Sequence, residues 1–314
     1  MFSYLKSLRI GDMQTPNNLF LAPLAGYTNY PLRKTAQESG AGLCFTEMVS
    51  AKGLKYGSEN TKDLLYTQKG ELAAAQIFGS DPSIMRQACE HEALAPFRVI
   101  DINMGCPVPK IYKNGEGSAL LENPALAEKI VKECVKSGKI ITVKFRIGID
   151  EKHIVTEEFA RRMEGAGASL ITVHGRAKDK FYAGEVNFKE IEKAKKAVKI
   201  PVIANGGVFS VSDGEKLMRE TGADGVMIAR AFLSDPQIFA DFLERERKSV
   251  YQMIEEQTKK TREISGERFA TVFMRKMAVF YLKGMRGSAP YKQKLFSAET
   301  PDEVLTLCKE IFKD

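Results

Sequence analysis

The chain has 314 residues, 44% of them hydrophobic, and a formal net charge of +7. That is enough for one large domain, or for a barrel of ~250 residues with a small appendage. No stretch approaches the ~18 uninterrupted apolar residues of a membrane span, and the start, MFSYLKSLRIGDMQTPNN, is too weakly apolar for a secretory signal. The five cysteines (Cys44, Cys89, Cys106, Cys134, Cys308) include no CxxC pair, which disfavours a disulfide framework and a cysteine-rich zinc site. Three histidines make a multi-histidine metal site unexpected, so no metal is expected, and the composition fits a reducing cytoplasm.

Taken in chain order, eight apolar runs have strand length: LFLAPLA (19–25), LCFTEMVS (43–50), AAAQIFG (73–79), VIDINMG (99–105), IITVKFRIG (140–148), LITVHGR (170–176), PVIANGG (201–207) and GVMIAR (225–230). Most are apolar on consecutive positions, as strands covered on both faces are. Helix signals fill the gaps. Asp81-Pro82, Asn123-Pro124 and Asp235-Pro236 each place a capping side chain before a proline at the first helical position. Asn187 with Glu190, and Ser212 with Glu215, stand at capping-box spacing, and Gly222 is placed to end the helix begun at Ser212. Eight such units, with no GxGxxG after the first strand, predict a (β/α)8 TIM barrel rather than an open doubly wound sheet.

After Arg245 the strand signals stop. The segment ERFATVFMRKMAVFYLKGM (267–285) spaces Phe269, Val272, Phe273, Met277 and Phe280 as one helical face. The expected division is a barrel over residues 1–244 and a small C-terminal helical domain over 245–314. From Arg245 onward 15 Lys and Arg stand against 10 Asp and Glu, so +5 of the net +7 lies in this tail. Charge alone leaves two readings, a solvated face or a surface for a phosphate backbone.

The carboxyl ends of the strands carry unusual cargo. The third contributes Gln76, the fourth Asn103 and Cys106, the fifth Lys144 and Arg146, and the sixth His174 and Arg176. The seventh ends Asn205-Gly206-Gly207 and the eighth Ala229-Arg230. In such barrels these ends share one face, where active sites sit, and the last two loops commonly grip phosphate through backbone N–H groups. A single strand-end Lys or His is more often a satisfied structural group than a catalyst, but successive strands ending this way point to a site. A lysine on the cavity floor would stabilise the negative charge of a reduced flavin, and a glutamine could address the ring edge. The set reads as an FMN site; a sugar-phosphate substrate would use the same phosphate loops. Cys106, between Gly105 and Pro107, is delivered into a loop above the barrel. An ordinary thiol, with a pKa of about 8.5, is protonated at neutral pH and suits a proton donor. The other four cysteines read as inert packing residues.

These motifs resemble the flavin-dependent tRNA-dihydrouridine synthases. The resemblance runs through APLAGYTNYPLR (22–33), AQIFGSDP (75–82), DINMGCPVPKIYKNGEGSALL (101–121), VKFRIG (143–148), ITVHGR (171–176), NGG (205–207) and MIARAFLSDPQIF (227–239), and weakly through FMRKMAVFYLKG (273–284). The loop after NMGCP is most similar to the bacterial B-type branch. The family implies an FMN-bearing barrel followed by a helical tRNA-binding domain, with NADPH as electron donor and uridine reduced to 5,6-dihydrouridine. By position, Pro23, Leu24 and Ala25 would line the flavin, Gln76 and Lys144 would address its ring, and His174 would lie alongside. Asn205, Gly206, Gly207, Ala229 and Arg230 would hold its phosphate. Asn103 would hold the uracil, Arg176 would contact substrate or phosphate, and Cys106 would be the proton donor. The basic tail and the Lys110–Lys113 loop would meet tRNA phosphates. A monomer is expected, because the tail supplies the second binding surface.

The chain departs from the family pattern at Leu24 (usually Met), Asn29 (Asp), Lys180 (Gln), Phe188 (Trp), Gly207 (Asp) and Met277 (His). None removes a chemical group from the expected reaction. The competing readings are a small-molecule flavin oxidoreductase such as a dihydroorotate dehydrogenase relative, a phosphate-sugar isomerase or aldolase, and a non-catalytic RNA-binding barrel.

Overall fold

The computed structural model describes residues 2–58, 61 and 63–312. The strands are β1 (Leu19–Leu21), β2 (Leu43–Ser50), β3 (Ala73–Phe78), β4 (Val99–Met104), β5 (Ile140–Arg146), β6 (Leu170–His174), β7 (Val202–Asn205) and β8 (Gly225–Ile228). Each pairs in parallel with the next, and β8 closes on β1 through Val226 opposite Leu19. All eight expected runs become strands, most of them shorter at the carboxyl end. Pro23, which has no N–H for a ladder, takes the first run out of the sheet early.

The two-residue period of a strand decides what goes inside. Outward positions such as Ile100, Ile102, Val143, Phe145, Ile171 and Val173 are fully buried in the core beneath the helices. Inward positions are apolar at the amino-terminal end, where Phe20, Leu43, Phe45, Ala74, Val99, Leu170, Ile203 and Met227 form a second core. Further along the same inward rows the residues turn polar: Gln76, Asp101, Asn103, Lys144, His174 and Asn205. The register sets them side by side, Gln76 opposite Asp101, Asn103 opposite Lys144, and His174 opposite both Arg146 and Asn205.

An antiparallel hairpin, Leu8–Ile10 with Met13–Thr15, was not legible in the sequence. Its Leu8 and Ile10 join the inner apolar core and stopper the amino-terminal end of the barrel.

Asp81 and Asn123 cap as expected, accepting from Ile84 N–H at 2.9 Å and Leu126 N–H at 3.1 Å. Asn187 caps the helix Phe188–Ala197, but Glu190 turns to Lys193 instead of completing a box. Two expectations need correction. The helix ending at Gly222 starts at Val211, capped by Ser210 rather than Ser212: Ser210 Oγ accepts from Asp213 N–H while the Asp213 carboxylate accepts from Phe209 N–H, and Glu215 is engaged by Ser3. Asp235-Pro236 starts no helix; Asp235 sits between the short helices Arg230–Ser234 and Ile238–Phe242 and pairs with Arg247 at 2.5 Å.

The C-terminal part is helical: Val250–Tyr281, bent at Gly266, then Ala289–Ser297 and Pro301–Ile311. The buried face differs from the expected one. Ala270, Phe273, Met274, Met277, Ala278 and Tyr281 are buried, whereas Phe269 and Val272 are exposed. Tyr281 lies on that buried side, and its hydroxyl donates to Gln257 Oε1 across the bend at 2.5 Å. Met277 is fully buried, so this departure from the family pattern lies in the packing core rather than on a surface.

Candidate active site

The carboxyl ends of the strands open into a cavity of about 450 Å³. Every residue expected to touch cofactor or uracil lines it: Pro23, Leu24 and Ala25 from the loop after β1, Gln76, Asn103, Cys106, Lys144, His174 and Arg176 from the middle strands and the loops that follow them, and Asn205, Gly206, Gly207, Ala229 and Arg230 from the ends of the last two. Among the described residues no Asp or Glu lines the cavity, while Lys144, Arg146, Arg176 and Arg230 all do. Such a chamber selects an anionic ligand.

A polar chain runs from beneath the cavity floor up to it. Thr142 Oγ1 donates to Asp101 Oδ1 at 2.6 Å, and Gln76 Nε2 donates to Asp101 Oδ2 at 2.7 Å. Asn103 Nδ2 donates to Gln76 Oε1 at 2.8 Å, and Asn103 Oδ1 accepts from the backbone N–H groups of Gly105 (3.1 Å) and Cys106 (2.9 Å). An ionised carboxylate only accepts, so Asp101 fixes which end of the Gln76 amide faces it, and Gln76 in turn fixes Asn103. Burial pushes the Asp101 carboxyl up to about 6, against hydrogen bonds from Gln76 and Thr142 that lower it.

The Cys106 loop is held from beneath as well. Its carbonyl accepts from Ser118 N–H (3.1 Å) and Ser118 Oγ (2.8 Å). Gly117, at φ +61°, lets the chain pass; a Cβ there would stand 3.0 Å from the Cys106 carbonyl oxygen. Burial raises the Cys106 thiol above its ordinary value, outweighing the N–H of Val108 and the charges of Arg146 and Lys144. The thiol therefore keeps its proton at neutral pH. The other four cysteines are free and fully buried.

Burial, with Arg146 beside it, lowers Lys144 to about 8. His174 is driven well below its usual value by burial and then by Arg146 and Lys144, so its ring is neutral. His174 Nδ1 and Arg176 Nη1 are buried without a hydrogen-bond partner among the described residues. Buried polar atoms normally have partners, so these two stand out on residues that line the cavity. Gly206, at φ +115°, passes so close to His174 that a Cβ would meet the ring at 3.1 Å. Asn205 Nδ2 is engaged by the Met227 carbonyl at 2.8 Å, which leaves its oxygen for the cavity. Arg146 ties the loops after β4 and β6 by donating to the carbonyls of Gly105 (3.0 Å) and Ala177 (3.1 Å).

Asn29 keeps an acceptor where the family pattern has Asp, and caps Tyr30–Ser39 through Leu32 N–H at 3.1 Å. Lys180 pairs with Glu151 on the surface at 3.0 Å. Sequence reasoning missed Asp101, Tyr27, Tyr182, Phe280 and Lys283. Asp101 was legible as an inward position two residues before Asn103; the tail residues reach the cavity only through tertiary docking.

A closed parallel barrel with a cationic chamber at the strand carboxyl ends, unpartnered polar atoms on His174 and Arg176 beside it and a protonated thiol at its rim defines an enzyme-type TIM barrel built for an anionic ligand. Solved structures agree on the fold. A morphinone reductase superposes with a TM-score of 0.57 at 13% identity, covering 79% of this chain and 91% of its own. The old yellow enzyme from Trypanosoma cruzi gives 0.60 at 10% identity, covering 80% and 94%.

The family model described as "Dihydrouridine synthase (Dus)" matches residues 20–314. The tRNA-dihydrouridine synthase B of Pasteurella multocida is 32% identical over 97% of this chain and 96% of its own. A probable tRNA-dihydrouridine synthase 1 of Synechocystis is 34% identical over 96% and 88%, and the tRNA-dihydrouridine synthase B of Vibrio parahaemolyticus is 36% identical over 74% and 73%. The chain belongs to the dihydrouridine synthase family and resembles its B-type branch.

Proposed function

We propose that the protein is a tRNA-dihydrouridine synthase that uses bound FMN and NADPH to reduce the 5,6-double bond of specific tRNA uridines. The observation that carries this reading is the meeting, in one cationic chamber of a member of this family, of a protonated Cys106 with Asn103, Lys144 and a neutral His174. The lining fits FMN: the cations match its phosphate and reduced ring, His174 Nδ1 and Arg176 Nη1 have no partner among the described residues, and Gly206 lets the backbone pass against the His174 ring. Bound FMN would supply the hydride to carbon 6 of the uracil.

The residues divide the remaining work. Pro23, Leu24 and Ala25 form one wall against the flavin. Gln76 addresses the ring, and Lys144 offsets negative charge there. His174 lies alongside. Gly206, Gly207, Ala229 and Arg230 hold the phosphate, with Asn205 bracing β7 against β8. Asn103 orients the uracil, Arg176 contacts substrate or phosphate, and Cys106 delivers a proton to carbon 5. A flipped uridine is required, because neither carbon is reachable in a stacked helix. No helix among the described residues is long and apolar enough to cross a membrane. The reading places the enzyme in the cytoplasm as a monomer, with residues 1–244 as the catalytic barrel and 245–314 gripping tRNA. Lys110 and Lys113, both exposed, add phosphate contacts.

The test is Cys106→Ala. Reduction of the bound flavin by NADPH, followed as bleaching of its yellow absorbance, should stay close to the parent rate, while uridine reduction in tRNA should fall by about 100-fold or more. Dihydrouridine formed at the parent rate would remove Cys106 from the chemistry. A colourless purified protein would remove the flavin.

A further inference from the structure

The loop Pro23–Ala25, which the proposed function places on the cofactor, continues into a residue gripped from two sides. Gly26 N–H donates to the carboxylate of Glu47, in β2, and the Gly26 carbonyl accepts from Lys276 Nζ at 2.5 Å. Lys276 belongs to the C-terminal helix Val250–Tyr281, 250 residues away in sequence. The same ammonium stands 4.0 Å from the centre of the Tyr27 ring, a cation–π contact. Tyr27 meets Phe280, one helical turn beyond Lys276, edge-on at 5.6 Å. Tyr27, Phe280 and Lys283 all line the reaction cavity.

The grip is selective in its chemistry. Gly26 adopts φ +79°, a conformation that suits glycine, and a Cβ there would stand 3.7 Å from the Lys276 nitrogen. Burial lowers Lys276 and raises Glu47, and each opposes the other's shift. The two charges therefore face one another across the Gly26 peptide, one held at its N–H and the other at its carbonyl.

We propose that Lys276 is a positioning residue that latches the C-terminal helix to the cofactor loop, so that Phe280 and Lys283 become a wall of the reaction chamber. This rests on the proposed function. RNA held by the helical segment is thereby registered to Cys106 through a fixed contact. Losing the latch leaves the RNA-binding surface intact but lets its distance from the chemistry wander. Small misplacements of a reacting group cost rate more than affinity.

The experiment compares Lys276→Met, which keeps the stem and removes the charge, with Lys276→Arg, which keeps the charge. For Lys276→Met, kcat for tRNA uridine should fall about tenfold or more, with KM for tRNA and the rate of flavin reduction by NADPH both within about twofold of the parent. Lys276→Arg should recover most of kcat. In cofactor-free protein, amide hydrogen exchange over residues 24–28 should speed up about threefold or more in Lys276→Met, with the rest of the barrel unchanged. Parent-like kcat and exchange in Lys276→Met would overturn the latch. So would a rise in KM alone, which would make Lys276 an RNA contact, or a matching loss of flavin reduction, which would make it a general folding residue. A parent protein whose flavin is bleached by NADPH yet leaves tRNA uridine untouched would instead overturn the functional reading on which the latch stands.

Discussion

Replacing Asp101 by Asn should stabilise the protein at neutral pH. Asp101 is fully buried between Gln76 and Thr142, and burial raises its carboxyl from 3.8 to about 6. The folded state thus holds the proton more tightly than the unfolded chain does. The stability that proton confers is complete below about pH 4 and is lost as pH climbs through about 6. A shift of two units corresponds to roughly 3 kcal/mol of destabilisation once the group is ionised. Asn removes the charge, still accepts from Gln76 Nε2, and turns its own amide toward the Thr142 hydroxyl. Loss of attraction to Lys144 offsets part of the gain. The variant should therefore unfold in urea at about 1–3 kcal/mol higher free energy at pH 7.5 and show no gain near pH 4. An equal difference at both pH values, or a variant weaker at pH 7.5, would refute the reasoning. The gain should come with slower uridine reduction, because a neutral amide at 101 no longer dictates which way Gln76 and Asn103 point.

Two further outcomes follow from the geometry. Gly206→Ala, whose Cβ would press on the His174 ring from a left-handed backbone, should weaken FMN affinity about tenfold or more by fluorescence titration, whereas Gly70→Ala, also left-handed but facing open space, should cost about 1 kcal/mol of stability and no cofactor. Arg33→Met should destabilise by about 3–5 kcal/mol in denaturant, since it leaves Glu71 buried without its cation; the two side chains meet at 2.6 Å, with exposures of 0% and 1%.

Much of this molecule was legible in its sequence because the barrel repeats one physical instruction. A strand covered on both faces must be apolar on both, so eight such runs announce eight strands. A polar residue inside such a run is costly unless it faces a site, so Gln76, Asn103, Lys144 and His174 stood out. The whole chain Thr142–Asp101–Gln76–Asn103 was not legible, because it depends on register between neighbouring strands. Helix starts read well where a side chain had one acceptor role, as at Asp81 and Asn123, and failed at Ser212 and Asp235, where distant partners claimed Glu215 and Asp235. The tail was misread for a related reason. Phe269 and Val272 fit the helical period, but beyond the bend at Gly266 tertiary packing buries Ala270, Met274, Ala278 and Tyr281 beside Phe273 and Met277 instead.

The hairpin at the bottom of the barrel bears on traffic. With Leu8 and Ile10 plugging that end, the chamber opens at the carboxyl ends of the strands. On the proposed function, NADPH and tRNA would both enter by that mouth and take turns at it. Initial-rate plots at several donor concentrations should then be parallel lines, the signature of a double-displacement cycle, with each reactant inhibiting competitively against the other when in excess.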